Sequence, residues 1–256
     1  DLAENNGAFW FQDEVGKFFN AVLKDSKFAR IKPWLLAAYS SDPISNRLKG
    51  EARKLTIDDP HFTFFGLSVF STWRTDIDAS SMLDGYLQRF NYAVAPARRD
   101  TDMFEHFLYF AGDDVAAREA DLRELWQALC AQPDAAGAYR CGPGVLEFLS
   151  NWWRGLRGNW GDGGVPPSFV RRIGFSVLRY LVVLHFLLGK SRTPVDIETA
   201  RLATRYAEYH LESAWVMIEA YDQESAAHVR KVVEIRQRLE ADGKAPSVRN
   251  ISRKLS

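Results

Sequence analysis

Cysteine is nearly absent: Cys130 and Cys141 are the only two in 256 residues. They show neither a metal-ligand spacing nor the numbers of a disulfide framework, which excludes a cysteine-stapled scaffold and fits a reducing cytoplasm. Net charge is absent too, because 33 Lys and Arg balance 33 Asp and Glu. The overall charge therefore argues neither for nor against a nucleic-acid partner, and any such binding needs a local patch. Long apolar runs are also missing. The most lipid-like stretch, "FSVLRYLVVLHFLLG" from Phe175 to Gly189, carries Arg179 and His185. It falls short of the roughly 20 residues a span requires, so it reads as a buried helix and no membrane partner is expected. His106, His185, His210 and His228 are scattered without metal-site spacing. There is no G-x-S-x-G elbow and no supported Cys–His pair, so a hydrolase reading lacks its nucleophile. Internal repeats and low-complexity tracts are likewise missing.

What is present is the composition of an ordinary folded protein, 46% apolar and 26% charged, in a chain long enough for one large domain or two modest ones. The first part alternates strand and helix patterns. Ala8 to Gln12 reads as a buried strand and Val15 to Leu23 as the helix after it. Phe28 to Tyr39 reads as a second helix with Pro33 near its start. "EARKLTID" and "HFTFFGLS" read as strands separated by Pro60, with helical stretches at Ser71 to Asp76 and Ser81 to Leu87. "RFNYAVAP" closes the series as another strand. Beyond it the pattern turns helical, in "DDVAAREADLRELWQALCAQ", in "GPGVLEFLSNWWRGL", and over Phe169 to Leu188, Asp196 to Tyr221 and Ala226 to Ala241. "GNWGDGGVPPS", from Gly158 to Ser168, reads as a loop. The expected class is α/β followed by mostly α, with domains at 1–102, 103–245 and 246–256.

The stretch with the most chemistry is "GAFWFQDEVGKFF", where an apolar strand runs through Gln12 into the adjacent acids Asp13 and Glu14. At the end of a buried strand, such a pair can hold Mg²⁺ through water with one carboxylate and activate a water with the other. In that reading Asp13 is the Mg²⁺ ligand and Glu14 the general base. The other reading is that both acids simply open the helix at Val15, where negative charge suits the dipole. A phosphate loop, G-x-x-x-x-G-K-[ST], is the partner such a pair needs, and none occurs. "LLGKSRT" has Leu184 where the first glycine belongs, and Gly189 reads instead as a helix-ending glycine before a polar turn.

In order along the chain, "AFWFQDEVGKFF", "LLAAYSS", "DDPHFTFFGLS" and "MLDGYLQRFNYAVA" resemble the RecA-like P-loop ATPases and helicases of plasmid and phage replication proteins, which are often fused to a primase-polymerase. "ETARLATRYAEYHLESA" and "APSVRNISRKLS" resemble the helical tail and winged-helix start of the same family. The resemblance implies a partial RecA-like core, then a helical domain entering a winged helix. It makes Asp13 and Glu14 a Walker B pair, Ser68 a polar sensor for phosphate or attacking water, and Arg89 an arginine finger acting on a neighbouring subunit's nucleotide. Read from the residues, Ser68 is equally an N-cap for the next helix, and Arg89 pairs locally with an acid such as Asp84; Arg74 is a weaker candidate for the finger. The resemblance further implies ATP and Mg²⁺ as cofactors, single-stranded DNA as partner, a homo-oligomeric ring such as a hexamer, and the cytoplasm of a bacterial or phage-infected cell. With no Met at the start, no phosphate loop and an end inside a helical pattern, the expectation is a C-terminal fragment of a longer enzyme. The competing expectation is a non-catalytic DNA-binding or scaffold module.

Two further places bear on DNA. In "HVRKVVEIRQRLEADGKAPSVRNISRKLS", Ser247 reads as the cap of a helix-turn-helix start, with Arg249, Arg253 and Lys254 toward the DNA backbone. "RRIGFSVLRY" lines up Arg171, Arg172 and Arg179, which read as a solvated face. The pair Trp152 and Trp153 reads as core rather than as a base-stacking platform.

Overall fold

The structure, a computed structural model, describes residues 7–28, 30–45, 56–95, 114–132, 137–160 and 165–241. The backbone clusters into two compact units, Asp1–Phe90 with Trp215–Ser256, and Asn91–Ala214. The chain is mixed α/β at its start and helical afterwards. The expected boundary at 102 and the winged-helix start at 246–256 lie outside the described residues.

The first unit is built on strand β1 (Gly7–Gln12), which pairs in parallel with β4 (His61–Gly66) from Gly7↔His61 to Gln12↔Gly66. The two-residue alternation of a strand sends Trp10, Phe62 and Phe64 to one face and Phe9, Phe11 and Phe65 to the other. Helix α1 (Val15–Lys24) covers the first face, since its apolar residues recur at helical spacing and bury Val15, Phe19 and Val22. Phe19 is the hub. Its ring lies 5.6 Å from Phe64, 4.7 Å from Phe90, 5.7 Å from Tyr86 and 6.0 Å from Trp73, all in tilted, stacked or edge-on arrangements that suit the ring quadrupoles. Helix α2 (Ile31–Ser40), a two-residue antiparallel pair β2 (Ile44–Ser45) and β3 (Thr56–Ile57), and the short helices α3 (Phe70–Asp76) and α4 (Ala79–Met82) complete this part. Of the expected strand "EARKLTID", residues 56–58 are described, and only Thr56–Ile57 are strand. The helix expected at Ser81 to Leu87 is instead α4 followed by a 3-10 turn at Leu87–Arg89.

In the second unit run α5 (Asp114–Cys130), α6 (Val145–Trp160), α7 (Pro167–Leu187) and the first part of α8 (Ile197–Ala241). Gly189, at φ 74°, ends α7 as expected, with its N–H on the Phe186 carbonyl and that of Lys190 on His185. Lys190 then bonds Asp196 and Glu198, both at 2.7 Å, so the G-K-S resemblance is a structural turn. Burial along α7 is one-sided: Ile173, Val177, Leu181 and His185 are buried, whereas Phe175, Leu178, Val182 and Leu187 are exposed. No described helix is long and apolar enough to cross a membrane.

Three expected elements are corrected. "RFNYAVAP" is not a strand, because its backbone groups are taken by side chains. The Val94 N–H donates to Ser213 Oγ (3.2 Å), the Tyr92 carbonyl accepts from His210 Nδ1 (2.6 Å), and the Val94 carbonyl accepts from the Tyr209 hydroxyl (3.4 Å). The two last helices are one, Ile197–Ala241, a span containing neither Gly nor Pro to stop it. The loop expected from Gly158 begins later, since α6 runs to Trp160.

Candidate active site

The parallel register of β1 and β4 brings two strand exits to one sheet edge, and the backbone knits them together past the strands. Leu67 N–H donates to the Gln12 carbonyl (3.0 Å), and Val15 N–H, the first amide of α1, donates to the Leu67 carbonyl (2.9 Å). Asp13 and Glu14 follow one strand and Ser68 follows the other, all three exposed. Carboxyl ends of parallel strands are where α/β sheets bind ligands. Gly66 allows this closeness: a Cβ there would lie 2.7 Å from Val15 Cγ2.

The helix-start reading of the acids needs only their negative charge before Val15, which both supply; a true cap would in addition accept an amide of the first helical turn. Glu14 occupies the cap position but its side chain makes no cap bond. Its backbone is left-handed (φ 48°, ψ 46°), one of two non-glycine residues with positive φ among those described. That conformation costs a non-glycine residue on the order of 1 kcal/mol, and such strain gathers at functional sites. The Asp13 carboxylate accepts from Glu14 N–H at 2.9 Å, and the Gln12 amide donates to the Asp13 carbonyl at 2.7 Å. Glu14 Oε2 receives Lys17 Nζ at 2.6 Å. That bond to Glu14 holds the Lys17 ammonium above its ordinary range.

Ser68 is not the cap of α3; that position is Val69, and the contact of the Ser68 hydroxyl is a long 3.4 Å bond to the Val69 carbonyl. Arg89 sits in the 3-10 turn Leu87–Arg89, half-buried. Its Nη1 donates to the Gly85 carbonyl, and its guanidinium lies 5.6 Å from the Tyr39 ring centre. Asp84, the local acid considered for Arg89, takes Lys32 Nζ at 2.5 Å from its Oδ2, and the Arg89 charge acts on it as well. Partial burial opposes ionisation of Asp84, but the Lys32 bond and the nearby Arg89 charge outweigh it and keep the carboxyl below its usual range. Arg74 stands in the last turn of α3. Arg249, Arg253 and Lys254 lie outside the described residues.

Two residues at this edge escaped sequence reasoning. Lys17 carries the ion pair to Glu14, and its three-residue spacing from that acid on a predicted helix was the available signal. Asp76, at the end of α3, places Oδ2 3.0 Å from where a Gly16 Cβ would stand, and that oxygen is buried without a hydrogen-bond partner. Nothing local in the sequence ties Asp76 to α1. A shallow groove of about 620 Å³ runs beside this edge along α1, lined by Lys17, Asn20, Ala21, Lys24, Asp25 and Ser26.

Among the described residues no three His, Cys, Asp or Glu side chains gather to hold a metal. Mg²⁺ does not require such a cage, because it keeps several waters and takes one or two carboxylates together with substrate phosphate oxygens. An exposed Asp13 at a strand end fits that mode. The chain matches no protein-family description and no curated protein.

Proposed function

We propose that this chain carries the catalytic carboxylate edge of a RecA-like, Mg²⁺-dependent ATPase, a DNA helicase of mobile-element replication. The supporting observation is the register of β1 on β4, with the Asp13–Glu14 exit beside the Ser68 exit at one parallel-sheet edge. A second support is the sheet itself. Parallel sheets occur with both faces covered, and the exposed Phe9, Phe11 and Phe65 on one face of the two-strand pair suit a sheet with a further layer packed on it.

In this reading Asp13 holds Mg²⁺ through water, and the ion supplies charge neutralisation at the phosphates. Glu14 orients the attacking water and takes its proton, with Oε2 freed for that contact once Lys17 is displaced. Ser68, unused as a helix cap, hydrogen-bonds the water or the γ-phosphate. Arg89 serves a neighbouring subunit in a ring, and must leave Gly85 and Tyr39 to do so. The phosphate cradle comes from a segment outside this sequence, since no G-x-x-x-x-G-K-[ST] run lies within it. Hydrolysis then drives single-stranded DNA through the ring.

The test is Glu14→Gln in the full-length protein. ATP turnover should fall by roughly 10²- to 10⁴-fold, the range of a general base, with ATP binding preserved. Turnover within twofold of the parent would leave the non-catalytic DNA-binding or scaffold module as the reading.

A further inference from the structure

Two sequence features of the second unit, "NWWRG" on α6 and "RRIGFSVLRY" on α7, become neighbours in the fold. Trp152 and Trp153 are adjacent, so the 100° step of a helix turns them to different faces. Trp152 is half-buried and its indole N–H donates to Glu208 Oε1 at 2.8 Å, which ties α6 to α8. Trp153 faces α7 and solvent, and is 38% exposed. Its ring lies over Gly174, where a Cβ would come within 2.3 Å of Cζ3, so only glycine admits it. Phe175, 49% exposed, sets its ring 5.2 Å from that of Trp153, and the Arg171 guanidinium sits 5.8 Å from the Phe175 ring centre. The expectation that both tryptophans are core is not met: Trp152 is half-buried and Trp153 exposed.

The sequence charge of the two helices is one-sided, although α8 brings Glu208 to Trp152. Between Val145 and Trp160 and between Pro167 and Leu187 the sequence has Arg154, Arg157, Arg171, Arg172 and Arg179 against a single acid, Glu147, in a chain whose total charge is zero. Open aromatic faces flanked by arginines complement one chemistry in particular, unstacked bases on a phosphate backbone. Duplex DNA is a poor fit, since its bases are already stacked and offer no faces to Trp153 or Phe175. We infer that the α6–α7 surface around Trp153, Phe175, Arg171 and Arg154 binds single-stranded nucleic acid, with bases on the two rings and phosphates on the two arginines. It gives the single-stranded DNA of the ATPase proposal a surface, yet rests on the α6–α7 geometry and not on the catalytic edge.

The test uses the 256-residue chain and a fluorescein-labelled oligothymidylate of about 20 nucleotides, followed by anisotropy across a salt series. Trp153→Ala and Phe175→Ala should each weaken binding about tenfold, which is the scale of one lost base stack. Arg171→Ala and Arg154→Ala should each lower the slope of log affinity against log salt by about 0.7. Phe175→Tyr should restore binding, which separates a lost platform from misfolding, and Trp126→Ala, at another exposed ring, should change nothing. Binding is measured without nucleotide, so failure of the ATPase proposal leaves this one intact. The inference is overturned by no affinity for the oligonucleotide at low salt, by equal or tighter binding of duplex, or by Trp153→Ala binding like the parent. It is equally overturned if these residues prove to serve anionic phospholipid vesicles or self-association instead.

Discussion

The two units hold themselves together by different means. In the first, the interior is a cluster of rings, Trp10, Phe18, Phe19, Phe64, Tyr86 and Phe90, packed under a two-strand sheet whose other face carries exposed Phe9, Phe11 and Phe65. In the second, polar side chains are buried with partners. His185 bonds Thr199 and Thr193, Ser213 accepts from Val94, and His210 lies between Tyr180 and the Tyr92 carbonyl. Apolar burial is strong and the geometric preferences of ring pairs are weak beside it, whereas satisfied buried polar groups specify one arrangement. The first unit thus combines a dense core with an open sheet edge, where the candidate chemistry sits. The second has closed polar joints and a chemically distinct outer face.

Removing the hub of the first unit should have the largest effect. Phe19→Ala deletes a ring that meets five others, and should cost that unit about 3–5 kcal/mol. Hydrogen exchange should show loss of protection in β1, α1 and β4. A change below 1 kcal/mol would mean that the ring cluster is not the core of this unit.

The second unit should instead be sensitive to pH through His210. A carbonyl can only accept, so His210 Nδ1 carries the proton toward Tyr92, and Nε2 accepts from the Tyr180 hydroxyl, which itself accepts from the Asn91 amide. Burial holds this imidazole below its ordinary value of 6.5, despite the opposing bond to Tyr92. The unfolded chain therefore takes up a proton as pH falls through about 6.5 while the folded chain does not, and unfolding is favoured. The stability from the neutral imidazole is complete above that pH and declines as pH drops toward the folded value. His210→Gln keeps a donor and an acceptor without a titrating group. Denaturation between pH 7.5 and 5 should show a shallower decline in this variant than in the parent, and identical slopes would remove His210 as the cause.

How far these differences can be read from sequence depends on range. The apolar run into Asp13–Glu14, the helix after it and the Pro60-led strand are local patterns, and they appear within one or two residues of where they were expected. The parallel register that sets Ser68 beside Asp13 is not local, and neither is the left-handed turn at Glu14. "RFNYAVAP" misleads because its alternation is strand-like, while the groups that capture its backbone lie more than a hundred residues away on α8. The same limit hid Lys32 as the partner of Asp84 and Gly174 as the seat of Trp153. The expected division between Tyr221 and Ala226 does not occur, because the span has no Gly or Pro to stop the helix.

The open edge of the first unit is where the account is most exposed. Its most direct test is single-turnover ATP hydrolysis by the full-length protein, with Asp13→Asn and Glu14→Gln compared across a Mg²⁺ titration. A metal ligand and a general base fail differently. Asp13→Asn should raise the Mg²⁺ concentration for half-maximal rate by about tenfold, and Glu14→Gln should lower the rate at least about 100-fold with that concentration unchanged. Parental rates and parental Mg²⁺ dependence in both variants would contradict the assignment of this edge to catalysis.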